Sequence, residues 1–268
     1  MQADSGYLDF AEDMAKRAGV VMRKNFTANM KKEWKSDNTP VTETDLVINE
    51  FVVKALADAY PGHSILSEED EDNEHFSRES EYVWICDPVD GTHNFSHGIP
   101  TATFALALTR NGQPVISVVY DPFMDRMFSA EKGKGARLNG HPMRVSENPT
   151  LKHTMIGMGK MRAVRKFFPV MEELYEYGAH VFAGTSIHFM AALVAAGELS
   201  AAFFGGTAAH DITAGTLLVE EAGGKATDIF GGTPERYDRD MEGFLASNGL
   251  IHDQLIEIMD KVSPRASG

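Results

Sequence analysis

The chain has 268 residues, enough to bury a full core as one large domain or two closely packed halves. Hydrophobic residues make up 43% and charged residues 24%, an ordinary globular balance, and the net charge of −14 argues against nucleic acid or an anionic membrane as the main partner. The same charge makes a bare phosphate ester a poor ligand unless cations reverse the local field.

The lone cysteine, Cys86, excludes an intrachain disulfide and suits a reducing compartment; set in an apolar run, it reads as a core residue. Residues 1–10 are acidic and lack a basic-then-apolar leader pattern, and no run approaches the ~20 apolar residues of a membrane span. The expectation is a cytoplasmic protein with no membrane partner.

Residues 8–26 carry Leu8, Ala11, Met14, Ala15, Ala18, Met22 and Phe26 at helical spacing, which predicts a core-packing helix. A turn-rich hairpin or loop follows from Lys31, with Lys35 inside it, and a second helix starts at Thr44 or Asp45 and ends near Tyr60. Its apolar set is Leu46, Ile48, Phe51, Val52, Ala55 and Leu56. A short strand over 64–67 delivers Glu68 and Glu69, and the acidic run after them reads as a solvated loop. Strands are expected at 102–109, 115–120 and 126–131, forming an antiparallel or mixed sheet. From about residue 149 strands and helices alternate: strands at 153–158, 180–182, 201–204 and 244–247, helices at 163–177, 186–196, 211–222 and 250–262. The division is therefore an N-terminal α+β half, 1–148, and a C-terminal α/β half, 149–268, in one compact unit.

The chemistry concentrates where the apolar run 82–86 empties into Asp87-Pro88-Val89-Asp90-Gly91-Thr92-His93-Asn94-Phe95. Pro88 biases Asp87 towards extended backbone, and Gly91 lets the main chain approach a ligand. Amides at the start of the helix that follows can face an anion. Asp-Pro and Asp-Gly alone are common turn formers. Two carboxylates beside an anion cradle, however, make electrostatic sense only with cations between them, which reads as a divalent-metal site that handles a phosphate. Glu68 also leaves a strand end, so it can meet Asp87 in space. Oxygen-only donors point to Mg²⁺ rather than Zn²⁺.

The string closely resembles the signature of the inositol monophosphatase family, Asp-Pro-hydrophobic-Asp-Gly-Thr-x-Asn-Phe. Two further stretches repeat the resemblance: Val41-Thr42-Glu43-Thr44-Asp45, and His210-Asp211-Ile212-Thr213-Ala214-Gly215 leading to Glu221-Ala222-Gly223-Gly224. His210 stands where the family carries Trp. The haloacid-dehalogenase phosphatases space their two aspartates by two residues, and here the spacing is three.

The resemblance implies a layered αβαβα sandwich of the sugar-phosphatase type, a mixed α/β fold. It also implies two or three Mg²⁺ ions. Glu68, Asp87 and the Val89 carbonyl resemble one metal site, Asp87, Asp90 and Asp211 a second, and a third ion would share Glu68. Asp45 with Thr92 resembles the pair that orients and deprotonates water for direct in-line attack, and Gly91 and Thr92 resemble the phosphate cradle. Lys35 lies in the loop that nears the metals in relatives. Gly184, Thr185, Ser186 and Phe204 occupy the substrate-facing positions, with Phe204 where inositol-gripping relatives carry Glu.

The activity implied is Mg²⁺-dependent hydrolysis of a small-molecule phosphate ester, inositol 1-phosphate or a related polyol or sugar phosphate, by a lithium-sensitive homodimer. Fructose 1,6-bisphosphate, histidinol phosphate and 3′-phosphoadenosine 5′-phosphate are alternative substrates. An inactive metal-binding partner protein is the remaining reading, against which the intact acidic set argues.

Overall fold

The structure is a computed structural model, and it describes residues 6–28, 30–35, 40–70, 75–159, 167–184, 186–205 and 208–262. Helix α1 (Gly6–Asn25) leads to a small antiparallel pair, β1 (Lys32–Trp34) and β2 (Pro40–Thr42), and then to α2 (Glu43–Ala59). Next come β3 (Ser64–Ser67), β4 (Tyr82–Asp90), the one-turn α3 (Thr92–Phe95), β5 (Thr103–Arg110), β6 (Gln113–Asp121), β7 (Arg126–Glu131), β8 (Ala136–Leu138) and β9 (His141–Pro142). These strands lie side by side in chain order as a seven-stranded sheet, with β3 and β4 parallel and every other pair antiparallel.

The second sheet is built from β10 (Met155–Gly159), α4 (Phe167–Glu176), β11 (His180–Gly184), α5 (Ile187–Ala195), β12 (Ala201–Phe204), α6 (Ala209–Glu221), β13 (Lys225–Thr227), β14 (Phe244–Ser247) and α7 (His252–Val262). Its order is β11-β10-β12-β14-β13; β10 runs parallel to both neighbours, and β14 antiparallel to both of its own.

Strand alternation distributes the core into three layers, because successive side chains point to opposite faces. On β5, Leu106 and Leu108 meet Met14, Met22, Ile48 and Val52 of α1 and α2. Ala105 and Ala107 point the other way, into the layer formed by α5 and α6. On the second sheet Phe204, Phe244 and Ala246 face that same middle layer, whereas Phe203 and Leu245 face α4 and α7 through Leu174, Leu255 and Ile258. The order is thus α1/α2, sheet, α5/α6, sheet, α4/α7: the αβαβα sandwich that the resemblance implies. Helix α5 is apolar nearly all round, as a helix covered on both sides must be.

Some sequence expectations shift. Strand β4 runs on through both aspartates to Asp90, where the 82–86 run alone was expected, because a register break between Asp87 and Asp90 takes Pro88 out of the ladder. Leu46, assigned to the core face of α2, is 51% exposed, because the true stripe is Ile48, Val52 and Leu56. His153 adopts φ 60°, so β10 begins two residues later than expected. Helix α4 begins at Phe167; positions 163–166 of its expected span lie outside the described residues, as do 71–74 of the acidic run.

Candidate active site

Adjacent parallel strands bring the first two carboxylates together. The Glu68 amide donates to the Cys86 carbonyl at 3.1 Å, extending the β3/β4 ladder by one step, so Glu68 emerges beside Asp87. The two carboxyls shift each other's titration, Asp87 upward and Glu68 downward. Residues three apart on a regular strand point to opposite faces; the break in β4 re-aims Asp90 so that its charge, like Glu68's and Asp211's, is felt by Asp87.

Three helix N-termini supply the rest. Asp45 is the third residue of α2, and its Oδ2 accepts from the Thr42 amide at 2.9 Å and from the Thr42 hydroxyl. Asp211 is the third residue of α6, and its Oδ2 accepts from the Ala208 amide at 2.8 Å. One local rule, an acid at the third helical position reaching back to the cap, therefore aims two carboxylates from distant sequence. Asp90 does the converse. Its Oδ1 accepts from the Ile187 amide at 3.0 Å, and its Oδ2 from the amides of His188 at 2.9 Å and Phe189 at 3.3 Å. The hydroxyls of Thr103, at 3.0 Å, and of Ser186 complete its shell. It anchors the start of α5.

The charge balance is unfavourable as it stands. Burial, then the charges of Glu68, Asp90 and Asp211, hold the Asp87 carboxyl well above the usual carboxylate range. Asp211 is also raised, by burial and by Glu68 and Asp90, against the opposing His210 and the Ala208 amide. Burial would raise Glu68 too, but His210 and Lys35 outweigh it and hold Glu68 low. Lys35 is the cation that bridges the cluster to its flank, 3.1 Å from Glu68 Oε1 and 2.5 Å from Glu69 Oε1. Among the described residues no three acidic, histidine or cysteine side chains already stand close enough together to enclose a cation.

Thr92 links the cluster to Asp45. Its Oγ1 lies 3.0 Å from Asp45 Oδ1 and 2.8 Å from the Val89 carbonyl, and its one proton serves one of the two at a time. Burial pushes Asp45 up to about 6 despite its Thr42 bonds. Gly91, just before, holds φ +90°, and a Cβ there would fall 2.9 Å from Ser186 Cβ, so glycine is required both for the turn and for the approach of α5. A cavity of about 770 Å³ opens beside Glu68 and His210.

A sequence profile of the inositol monophosphatase family matches residues 4–263. The chain belongs to that family. It is 33% identical over 263 residues to the inositol monophosphatase of Mesembryanthemum crystallinum, covering 94% of this chain and 95% of that protein. It is 31% identical over 266 residues to the Nus factor SuhB of Pasteurella multocida, covering 96% of each. An IMPase of Thermotoga maritima superposes with a TM-score of 0.87 at 30% identity, over 96% of this chain and 98% of that one. Membership makes the chain a phosphoric monoester hydrolase, of a family that is generally metal-dependent. Among the described residues, no helix is long and apolar enough to cross a membrane.

Two of the substrate positions inferred from the family differ in the structure. Phe204 is 1% exposed and faces the middle-layer core; its ring covers Gly159, where a Cβ would come within 2.0 Å of it, so it offers no wall to a ligand. Ser186 is buried as the N-cap of α5, with its hydroxyl given to Asp90, so it positions a carboxylate. Gly184 ends β11, partly exposed and packed against Met190, and Thr185 lies outside the described residues.

Sequence reasoning passed over Thr103 and His188, and it named Ser186 for a substrate-facing role and not as the cap that binds Asp90. His188 Nε2 donates to the His210 carbonyl at 2.6 Å and its Nδ1 accepts from the Gly215 amide at 3.2 Å, which fixes the tautomer and ties α5 to α6. Ser186 alone left a local trace, a serine directly before an apolar helical run.

Proposed function

We propose that the chain is a Mg²⁺-dependent phosphomonoesterase acting on a small polyol or sugar phosphate such as inositol 1-phosphate. The observation that carries this reading is the buried Asp87 carboxyl, pressed by the charges of Glu68, Asp90 and Asp211 and served by Lys35 only through Glu68. Buried like charges are costly without a counter-ion, and every donor here is oxygen, the donor set of a hard cation. Asp70 Oδ2, buried without a hydrogen-bond partner, adds to the deficit. Glu68, Asp87, Asp211, Asp90 and the Val89 carbonyl are the groups that would hold Mg²⁺.

When bound, the metal would neutralise the phosphate dianion and stabilise the alkoxide that departs. The chain's own residues do the remainder. Thr92 Oγ1 accepts a proton from the attacking water as its own proton passes to Asp45 Oδ1, 3.0 Å away. An Asp45 carboxyl poised near 6 is suited to that transfer at neutral pH. The Gly91 and Thr92 amides, at the start of α3, cradle the phosphoryl oxygens. This reading places the enzyme in the cytoplasm as a homodimer inhibited by Li⁺.

The test is phosphate release from a panel of small esters with and without Mg²⁺. Release of phosphate from at least one ester, at least about a hundredfold faster with Mg²⁺, is expected. No release from any ester would favour a non-catalytic binding role.

A further inference from the structure

One imidazole at the acidic cluster keeps its ring nitrogens free of hydrogen bonds. His210 is the second residue of α6, directly before Asp211, and it lines the cavity that opens beside Glu68. Its side chain is 22% exposed, and Nε2 lies 4.0 Å from Asp211 Oδ1. Among the described residues the ring makes no hydrogen bond. The fully buried histidines behave otherwise. His188 spends its two nitrogens on the His210 carbonyl and the Gly215 amide, and His252 spends its own on Ser247 and Thr227.

The surroundings give the free ring a direction. Asp211 Oδ2 is taken by the Ala208 amide at 2.8 Å, so Oδ1 is the oxygen left over, and it is the one nearest His210 Nε2. The His210 carbonyl is held by His188 Nε2 at 2.6 Å, which fixes the peptide and leaves the ring to turn about its own side-chain bonds. The ring is also close enough to Glu68 for its charge to act there ahead of that of Lys35. An imidazole thus borders two of the carboxylates proposed above as metal ligands. Asp70, whose buried Oδ2 has no hydrogen-bond partner, lines the same cavity. The tryptophan that the family carries here would bring an N–H donor and no nitrogen lone pair, whereas a neutral imidazole brings one.

Mg²⁺ is a hard ion that takes oxygen and keeps its waters, while imidazole suits ions of the first transition row. A nitrogen and an oxygen on one such ion can lie at most about 4.2 Å apart, the two bond lengths laid end to end. The 4.0 Å between His210 Nε2 and Asp211 Oδ1 is inside that limit, and a turn of the ring shortens it. We propose that His210 Nε2 and Asp211 Oδ1 form a mixed nitrogen–oxygen position of the metal cluster, which takes a first-row transition ion such as Mn²⁺ in preference to Mg²⁺. This deepens the metal-dependent reading above and rests on it.

The experiment titrates the full-length protein, free of substrate, with Mn²⁺ and with Mg²⁺ by calorimetry, for the wild type and for His210→Gln. A thermal melt checks that the variant folds. The Mn²⁺-loaded proteins are also read by pulsed electron paramagnetic resonance, with and without histidine labelled in the heavier nitrogen isotope. The wild type is expected to show spin-echo modulation from a directly bound nitrogen, altered by the label. In His210→Gln the modulation should vanish, and the ratio of Mn²⁺ to Mg²⁺ affinity should fall by about tenfold or more. A wild-type echo with no bound nitrogen overturns the assignment, whether or not the variant folds. Equal loss of affinity for both ions in His210→Gln also overturns it, since the imidazole then acts as a charge and not as a ligand. The underlying reading fails in a different way. A wild type that binds neither ion removes the metal cluster and this position with it. Bound nitrogen in a protein that releases phosphate from no ester keeps the His210 position and sinks the phosphatase reading alone.

Discussion

Asp90 carries two duties that its neighbours divide between them. Its charge bears on Asp87 and Asp211, yet both its oxygens accept from Thr103, Ser186 and the first amides of α5. An amide side chain at this position would present donors to donors. Asp90→Asn is therefore expected to abolish nearly all turnover and also to cost about 2–3 kcal/mol of stability, read as a fall of roughly 5–10 °C in Tm. An inactive variant with an unchanged Tm would show that the α5 anchor is not built as described. The sequence alone suggests an inactive but fully stable variant, because the motif signals the charge and nothing in it signals the α5 partners 96 to 99 residues away. Phe204 marks the same limit. Its position in a family pattern suggested a ligand contact, but strand alternation sends Phe204 into the middle layer and Phe203 into the layer under α4 and α7.

At the scale of elements, local rules made much of the architecture readable. Helix α1 was visible in Ala11, Met14, Ala18 and Met22, and β3, β7, β12 and β14 begin and end where composition changes. The short strands β8, β9 and β13 were not visible, because two or three residues carry no period and their pairing is decided by a neighbouring strand. Helix α7 shows how an element is held by contacts with no sequence signature. His252 is fully buried, with Nδ1 2.8 Å from the Ser247 hydroxyl and Nε2 3.0 Å from Thr227. Burial, with a smaller contribution from Lys225, lowers it to about 4. Because the folded value lies below the unfolded one of about 6.5, the unfolded chain takes up the proton first, so stability present above pH 6.5 is lost as pH falls towards 4. Between pH 7.5 and 5 this residue should remove about 2 kcal/mol, seen as a lower urea midpoint. His252→Gln should lack that share of the pH dependence. An identical pH slope in the two proteins would contradict the assignment.

Taken whole, the molecule converges three helix N-termini and two strand ends on one buried acidic cluster. Helix dipoles lessen the cost of that cluster but do not remove it. The central claim is that Mg²⁺ completes it, and binding is the direct measure. Titration calorimetry in two buffers of different ionisation enthalpy should show saturable Mg²⁺ binding to the wild type. On the order of one proton should be released, because the Asp87 carboxyl, held well above the usual carboxylate range, must ionise to bind a cation. In Asp87→Asn both the binding heat and the proton release should vanish. Phosphate release that proceeds with no Mg²⁺ bound, or an Asp87→Asn protein that binds Mg²⁺ as the wild type does, would contradict the account.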